Sequence, residues 1–133
     1  AILRIKLRHL DEYAAARNKA AAYYDNAFAN NPKIKTPVRP KNSTHVFHQY
    51  TLVLSGVDRN KLKEHLASKD IPAMIYYPLP LHHQKAYANP RFKDTDFPFT
   101  VPLCKNVISL PMHTELDEET LKYITESVLE FVK

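Results

Sequence analysis

Residues Met74 to Tyr87, MIYYPLPLHHQKAY, gather three tyrosines, two prolines, two adjacent histidines and a glutamine. Pro78 and Pro80 fix φ where the chain leaves an apolar, strand-like run. The phenols of Tyr76 and Tyr77 and the imidazole of His82 are thereby presented at low entropic cost. Phenol, imidazole and carboxamide supply donors and acceptors together, the combination that polyhydroxylated ligands need. The same residues also suit a tight turn with the tyrosines packed under loops, and residue types alone leave both readings open.

Other chemistries find less support. His45 and His48 stand three apart in HVFHQYTLVL, and on a strand an odd spacing sends side chains to opposite faces. His82 and His83 are adjacent in a loop, a poor chelating pair with no acidic or thiol ligand close in sequence, so no metal site is expected. The single cysteine, Cys104, has no partner for a disulfide and reads as a small buried hydrophobe; nothing orients it toward a histidine as a nucleophile. Asp94 and Asp96 sit among turn formers and do not read as an acid/base pair. One glycine, Gly56, in 133 residues excludes the glycine-rich phosphate loops of the Walker and Rossmann kinds.

The formal charge is +5, yet the basic residues are scattered instead of forming a stripe. The densest group, Lys33, Lys35, Arg39 and Lys41, lies in a proline-containing connector without interleaved aromatics, so no nucleic-acid partner is expected. No run approaches the ~18 apolar residues of a membrane span, and no membrane partner is expected either. With a lone cysteine, this predicts a cytoplasmic location.

The elements that must position the ring-rich stretch follow from periodicity. Leu3, Leu7, Leu10, Ala14, Arg17, Ala21, Tyr24 and Phe28 repeat at helical spacing, which predicts one long helix over 2–28, roughly 40 Å in length. It begins without a capping side chain, and Arg4, Lys6 and Arg8 occupy the positive end of the macrodipole. That start predicts a chain that opens inside an element, a fragment of something longer. Residues 29–44 read as an extended connector. Strands are predicted over 45–54, 71–77 and 106–111, a helix over 59–69 capped by Asp58 with Val57 as a staple, and a last helix capped by Asp117. Between Pro78 and Leu103 the chain reads as loop, with a helical turn near 83–87. The result is an α+β domain of two layers: a long N-terminal helix, then a core over 45–133 with a three-stranded sheet covered by helices on one side.

AILRIKLRHLDEY, HVFHQYTLVL, YPLPLHHQKAY and ISLPMH, in this order, resemble the C-terminal part of the DegT/DnrJ/StrS family of sugar aminotransferases. The resemblance covers essentially the whole chain and is most specific over Tyr77, Pro78, Pro80, Leu81, His82, Gln84 and Tyr87, with Ser109 to His113 as a second match. It implies the small closing domain of an aspartate-aminotransferase-type fold, with the linking helix at 1–28. The intact enzyme would use pyridoxal phosphate (PLP) to move an amino group, from glutamate, to a nucleotide-linked keto-sugar. It implies a homodimer, and it places the Schiff-base lysine in a large domain outside this chain, so that the fragment alone binds no cofactor and is inactive. A His-Tyr-Pro triplet of the family borders the substrate; here it is Tyr76-Tyr77-Pro78, so a phenol replaces the imidazole. Tyr76, Tyr77 and His82 are the substrate-binding residues the resemblance implies. A PLP-dependent sugar dehydratase of the same family and a stand-alone regulatory module of the pleiotropic-regulator kind remain alternatives.

Overall fold

A computed structural model describes all residues from Ala1 to Lys133. The N-terminal helix is present but divided: α1 (Ile2–Lys6), a 3-10 turn over Leu7–His9, and α2 (Leu10–Phe28). Ala1 supplies no side-chain cap to α1. At the restart Asp11 and Glu12 occupy the first turn of α2, and Glu12 pairs with His9 at 3.0 Å, so the acids lie where the second macrodipole favours them. Only the C-terminal half of the apolar stripe is core. Ala21, Tyr24 and Phe28 are buried, whereas Leu3 and Leu7 are 82% and 68% exposed.

The sheet differs from expectation in its membership. Its order is β1 (Ile34–Lys35), β2 (Tyr50–Leu54), β3 (Val107–Leu110), antiparallel throughout, with Ile34 opposite Leu54 and Tyr50 opposite Leu110. β1 comes from the connector, where Ile34 is drawn into the core. The segment over 71–77 contributes only a bridge between Met74 and Ser109, because Pro72 has no N–H for the ladder and Pro78 follows closely. The predicted strand over 45–54 loses its first half. Phe47 adopts φ 45, and its N–H bonds to Nδ1 of His45 at 2.9 Å, which breaks the extended run before Tyr50.

Tyr50, Leu52 and Leu54 face the main core with Ile108 and Leu110, and α2, α3 (Arg59–Ala67) and α5 (Glu118–Val132) cover that side. The opposite face, expected to be open, is closed along β3: Val107 and Ser109 are buried, the Ser109 hydroxyl meets Thr51 at 2.8 Å, and a short α4 (Thr100–Asn106) lies against β2. α4 overlaps the 78–103 stretch expected to be loop, and Pro102 stands within it. In the first turn of a helix the absent N–H has no partner to lose. No helix is long and apolar enough to cross a membrane.

Both predicted caps form. Asp117 accepts from the Thr120 N–H at 2.8 Å, and hydrogen bonding from Thr120 holds its carboxyl below the usual carboxylate range. Asp58 accepts from the N–H groups of Asn60 and Lys61 at 3.0 and 3.1 Å, and Val57 packs against the core. Replacing Asp58 with alanine should cost about 1 kcal/mol. The signature is a lower urea midpoint at unchanged slope, with Asp58→Ser recovering most of the loss. An unchanged midpoint in Asp58→Ala would show that α3 does not depend on its cap.

Candidate functional site

An open groove of about 310 Å³ runs beside the Met74 bridge, where Tyr76 meets His48, Gln49, Met112 and His113. Three segments supply it, and each is held from beneath. The Pro111 carbonyl accepts from the Tyr24 hydroxyl at 2.9 Å, which pins the start of the Pro111–His113 wall to α2. Phe47 is buried under the Arg39 guanidinium, 4.6 Å from its ring centre, and this anchor projects His48 and Gln49 outward. Met74 and Ser109 exchange two backbone hydrogen bonds, at 3.0 and 2.7 Å, immediately before Tyr76. Nδ1 of His113 accepts from the Glu115 N–H at 3.2 Å, leaving Nε2 as the ring's free edge.

Beneath the groove lies a neutral aromatic floor. Tyr24 and Tyr50 pack with ring centres 4.9 Å apart, and desolvation pushes both phenols well above their ordinary range. Their hydroxyls therefore remain donors, one to Pro111 and one to Asp25.

Of the residues singled out from sequence, Tyr76 and Tyr77 stand together at the surface, 37% and 70% exposed, with ring centres 5.8 Å apart and a cis peptide bond between them. His82 lies elsewhere. It borders a second hollow of about 360 Å³ with Leu81, Tyr87, Phe92, Phe97 and Thr100, which shares no lining residue with the first. The helical turn that carries it spans Leu81–His83, two residues earlier than expected. His82 stacks on Phe97 at 4.4 Å, and its Nε2 is 3.0 Å from Oδ1 of Asp94. His83 reaches the same oxygen at 2.5 Å. Hydrogen bonds from His82 and then His83 hold the Asp94 carboxyl below the usual range.

This arrangement corrects two expectations. The adjacent histidines converge despite their spacing, because the 3-10 turn brings both Nε2 atoms to one side, and an acid eleven residues beyond His83 folds back onto them. The sequence reading also passed over His48 and His113 as groove residues. Both lie in stretches that carry the family resemblance, HVFHQYTLVL and ISLPMH, and that was the signal available. Cys104, expected buried, is half-buried in α4, with its carbonyl bonded to Arg59.

The comparisons with known proteins agree with this architecture. A Geobacillus stearothermophilus protein named "Pleiotropic regulatory protein" is 38% identical over the whole of this chain, which covers 36% of that protein. The dTDP-3-amino-3,6-dideoxy-alpha-D-galactopyranose transaminase of Aneurinibacillus thermoaerophilus is 34% identical over 96% of this chain and 34% of its own length. The crystal structure of S. venezuelae DesV superposes with a TM-score of 0.92 at 30% identity, over 99% of this chain and 35% of that one. The chain thus spans about a third of the proteins it matches. The sequence model of one family matches residues 1–129, nearly the full length. On that match, this chain belongs to the DegT/DnrJ/EryC1/StrS aminotransferase family.

Proposed function

We propose that this chain is the closing domain of a PLP-dependent aminotransferase that moves an amino group, from glutamate, onto a nucleotide-linked keto-sugar. The observation that carries this reading is the open groove at Tyr76, where phenol, imidazole and carboxamide groups from separate segments meet. Such a set suits a ligand dense in hydroxyls. The groove offers no lysine, and Gly56, the one glycine, has open space around it and cradles nothing. These residues do not fit the cofactor's aldehyde or its phosphate. In this reading both are served by the rest of the parent protein, and this chain supplies the sugar-side wall.

Tyr76 and Tyr77 bind the sugar directly, and His82 completes the substrate side by fixing the loop that follows Pro80. The exposed face of α1 and α2 supports a partner domain. Leu3, Leu7, Leu10 and Tyr13 wall a hollow of about 890 Å³ together with Arg17, whose buried Nε has no hydrogen-bond partner. Open apolar faces of this kind mark contact surfaces, and the cofactor domain and the second subunit of a homodimer are the proposed contacts.

The test is the intact parent protein supplied with glutamate and a panel of UDP- and dTDP-linked keto-sugars, with amino-sugar product read by mass spectrometry. No product from any sugar would overturn the proposal. In that enzyme Tyr77→Phe should raise the sugar's KM by about three- to tenfold, the worth of one hydrogen bond, with the cofactor absorbance unchanged. His82→Ala should move KM in the same direction. Unaltered sugar kinetics in Tyr76→Phe and Tyr77→Phe alike would reject the rim assignment. The name of the Geobacillus relative favours a second reading, a regulatory role. A parent protein without transaminase activity whose deletion alters several unrelated traits would support it.

A further inference from the structure

We propose that His82, His83 and Asp94 form a binding site for one divalent transition-metal ion, with zinc the best fit. The three ligand atoms lie within 4.8 Å of one another. Nε2 of His82 and Nε2 of His83 stand 3.0 and 2.5 Å from the same carboxylate oxygen. Around a tetrahedral zinc with ligands at about 2.1 Å, neighbouring ligand atoms are about 3.4 Å apart. Moving each imidazole away from the carboxylate oxygen by less than about an ångström brings those two edges to that size. Binding requires both imidazoles as the Nδ1–H tautomer, which turns each Nε2 from a donor into a lone pair aimed at the ion.

The triad is preorganised. The His82 side chain is 7% exposed and clamped flat against Phe97, while the two imidazole rings meet edge-on at 4.4 Å. Asp94 opens a 3-10 turn, and its carbonyl accepts from the Phe97 N–H at 3.1 Å, so the residue that stacks on His82 also fixes the acid. The only ion partners of Asp94 are these two imidazoles; no lysine or arginine competes for the carboxylate. Two imidazoles and one carboxylate are a donor set that zinc and its neighbours in the first transition row favour over magnesium or calcium. His83 and Asp94 remain 39% and 56% exposed, which gives the ion a route in and leaves its fourth position to water. An ion held there would clasp the two ends of the 81–94 loop and rigidify the hollow at Tyr87, Phe92 and Phe97.

The test is a cobalt(II) titration of the full chain, followed by its visible absorption, with zinc binding measured by calorimetry. Wild type should show a one-equivalent step with tetrahedral-type bands, and zinc should raise its Tm. His83→Ala and Asp94→Asn should each lose the step and the Tm gain while keeping the wild-type circular dichroism. Asp94→Asn preserves size and hydrogen bonding, so it decides the matter if His83→Ala fails to fold. The absence of a one-equivalent step in wild type, or a step that survives Asp94→Asn, would overturn the proposal and leave the triad as a hydrogen-bonded loop clasp. The pair His9 and Glu12 on the N-terminal helix offers only two ligands, and His9→Ala should leave the step intact.

Discussion

Tyr24→Ala is expected to destabilise the fold by about 3–5 kcal/mol, a large share of the 5–15 kcal/mol that holds a typical domain together. Tyr24 is fully buried and packs against both Tyr50 and Phe28, with ring centres 4.9 and 6.2 Å away. Truncation removes a ring between α2 and the sheet that the neighbours, both rigid aromatics and Tyr50 tied by its hydroxyl to Asp25, cannot collapse to refill. It also strands the Pro111 carbonyl. Tyr24→Phe separates the two effects, since it keeps the ring and forfeits only the hydroxyl, for about 1 kcal/mol. Urea unfolding of the two variants checks the difference. If Tyr24→Ala costs no more than Tyr24→Phe, the ring is not a core element. Because Pro111 opens the wall that ends in His113, Tyr24→Phe is also the milder way to loosen the groove without opening the core.

The helices were legible because their signals are local. Asp58 and Asp117 announce themselves as caps, and Leu62, Leu66, Leu121, Ile124, Val128 and Val132 repeat at the helical period and are all buried. The sheet was legible only where both partners are strong: β2 and β3 are dense in β-branched, aromatic and leucine side chains, whereas β1 is two residues recruited from a connector by a single buried isoleucine. No periodicity exists in two residues. Phe47 shows the opposite failure. A β-prone side chain sits at positive φ because its ring is held in the core by Arg39 and Tyr50, and tertiary packing outweighs propensity.

At the site, residue types were legible and convergence was not. The stretch from Tyr76 to His82 was visible as chemistry, yet the structure distributes it over two hollows, and the groove's other groups come from positions 48, 49, 112 and 113. The His82–His83–Asp94 triad depends on a loop closing back through two short 3-10 turns, and sequence spacing carries no trace of that closure. The half-exposed stripe of the first helix is the informative mismatch. Its spacing is that of a buried helix, and its N-terminal half has nothing to lie against within these residues.

Asp25→Ala should cost about 2–3 kcal/mol through its hydrogen bonds. Its carboxylate accepts from the Tyr50 hydroxyl and from Nε of Arg39, both at 2.6 Å, and so ties α2 to β2 and to the connector. The Arg39 guanidinium reaches on to Asn18 at 3.3 Å while lying over Phe47, and Asn18 donates to the His45 carbonyl at 2.8 Å. Removing the acid leaves the Tyr50 hydroxyl without an acceptor in a fully buried position, whereas Arg39, 41% exposed, can turn to water. The Tyr50 side of the pair therefore dominates the loss. A double-mutant cycle with Tyr50→Phe checks this. Once Tyr50 lacks its hydroxyl no stranded donor remains, and the double variant should fall short of the summed single costs by about 1 kcal/mol. Additivity within about 0.3 kcal/mol would mean that the two residues act independently and that Asp25 serves Arg39 alone. The coupling matters to function because Phe47 and Tyr50 flank His48 and Gln49 in the chain. An acid on α2 thus helps to position one wall of the proposed sugar groove, and, on the proposed function, Asp25→Asn in the intact parent protein should raise the sugar's KM without altering the cofactor's absorbance.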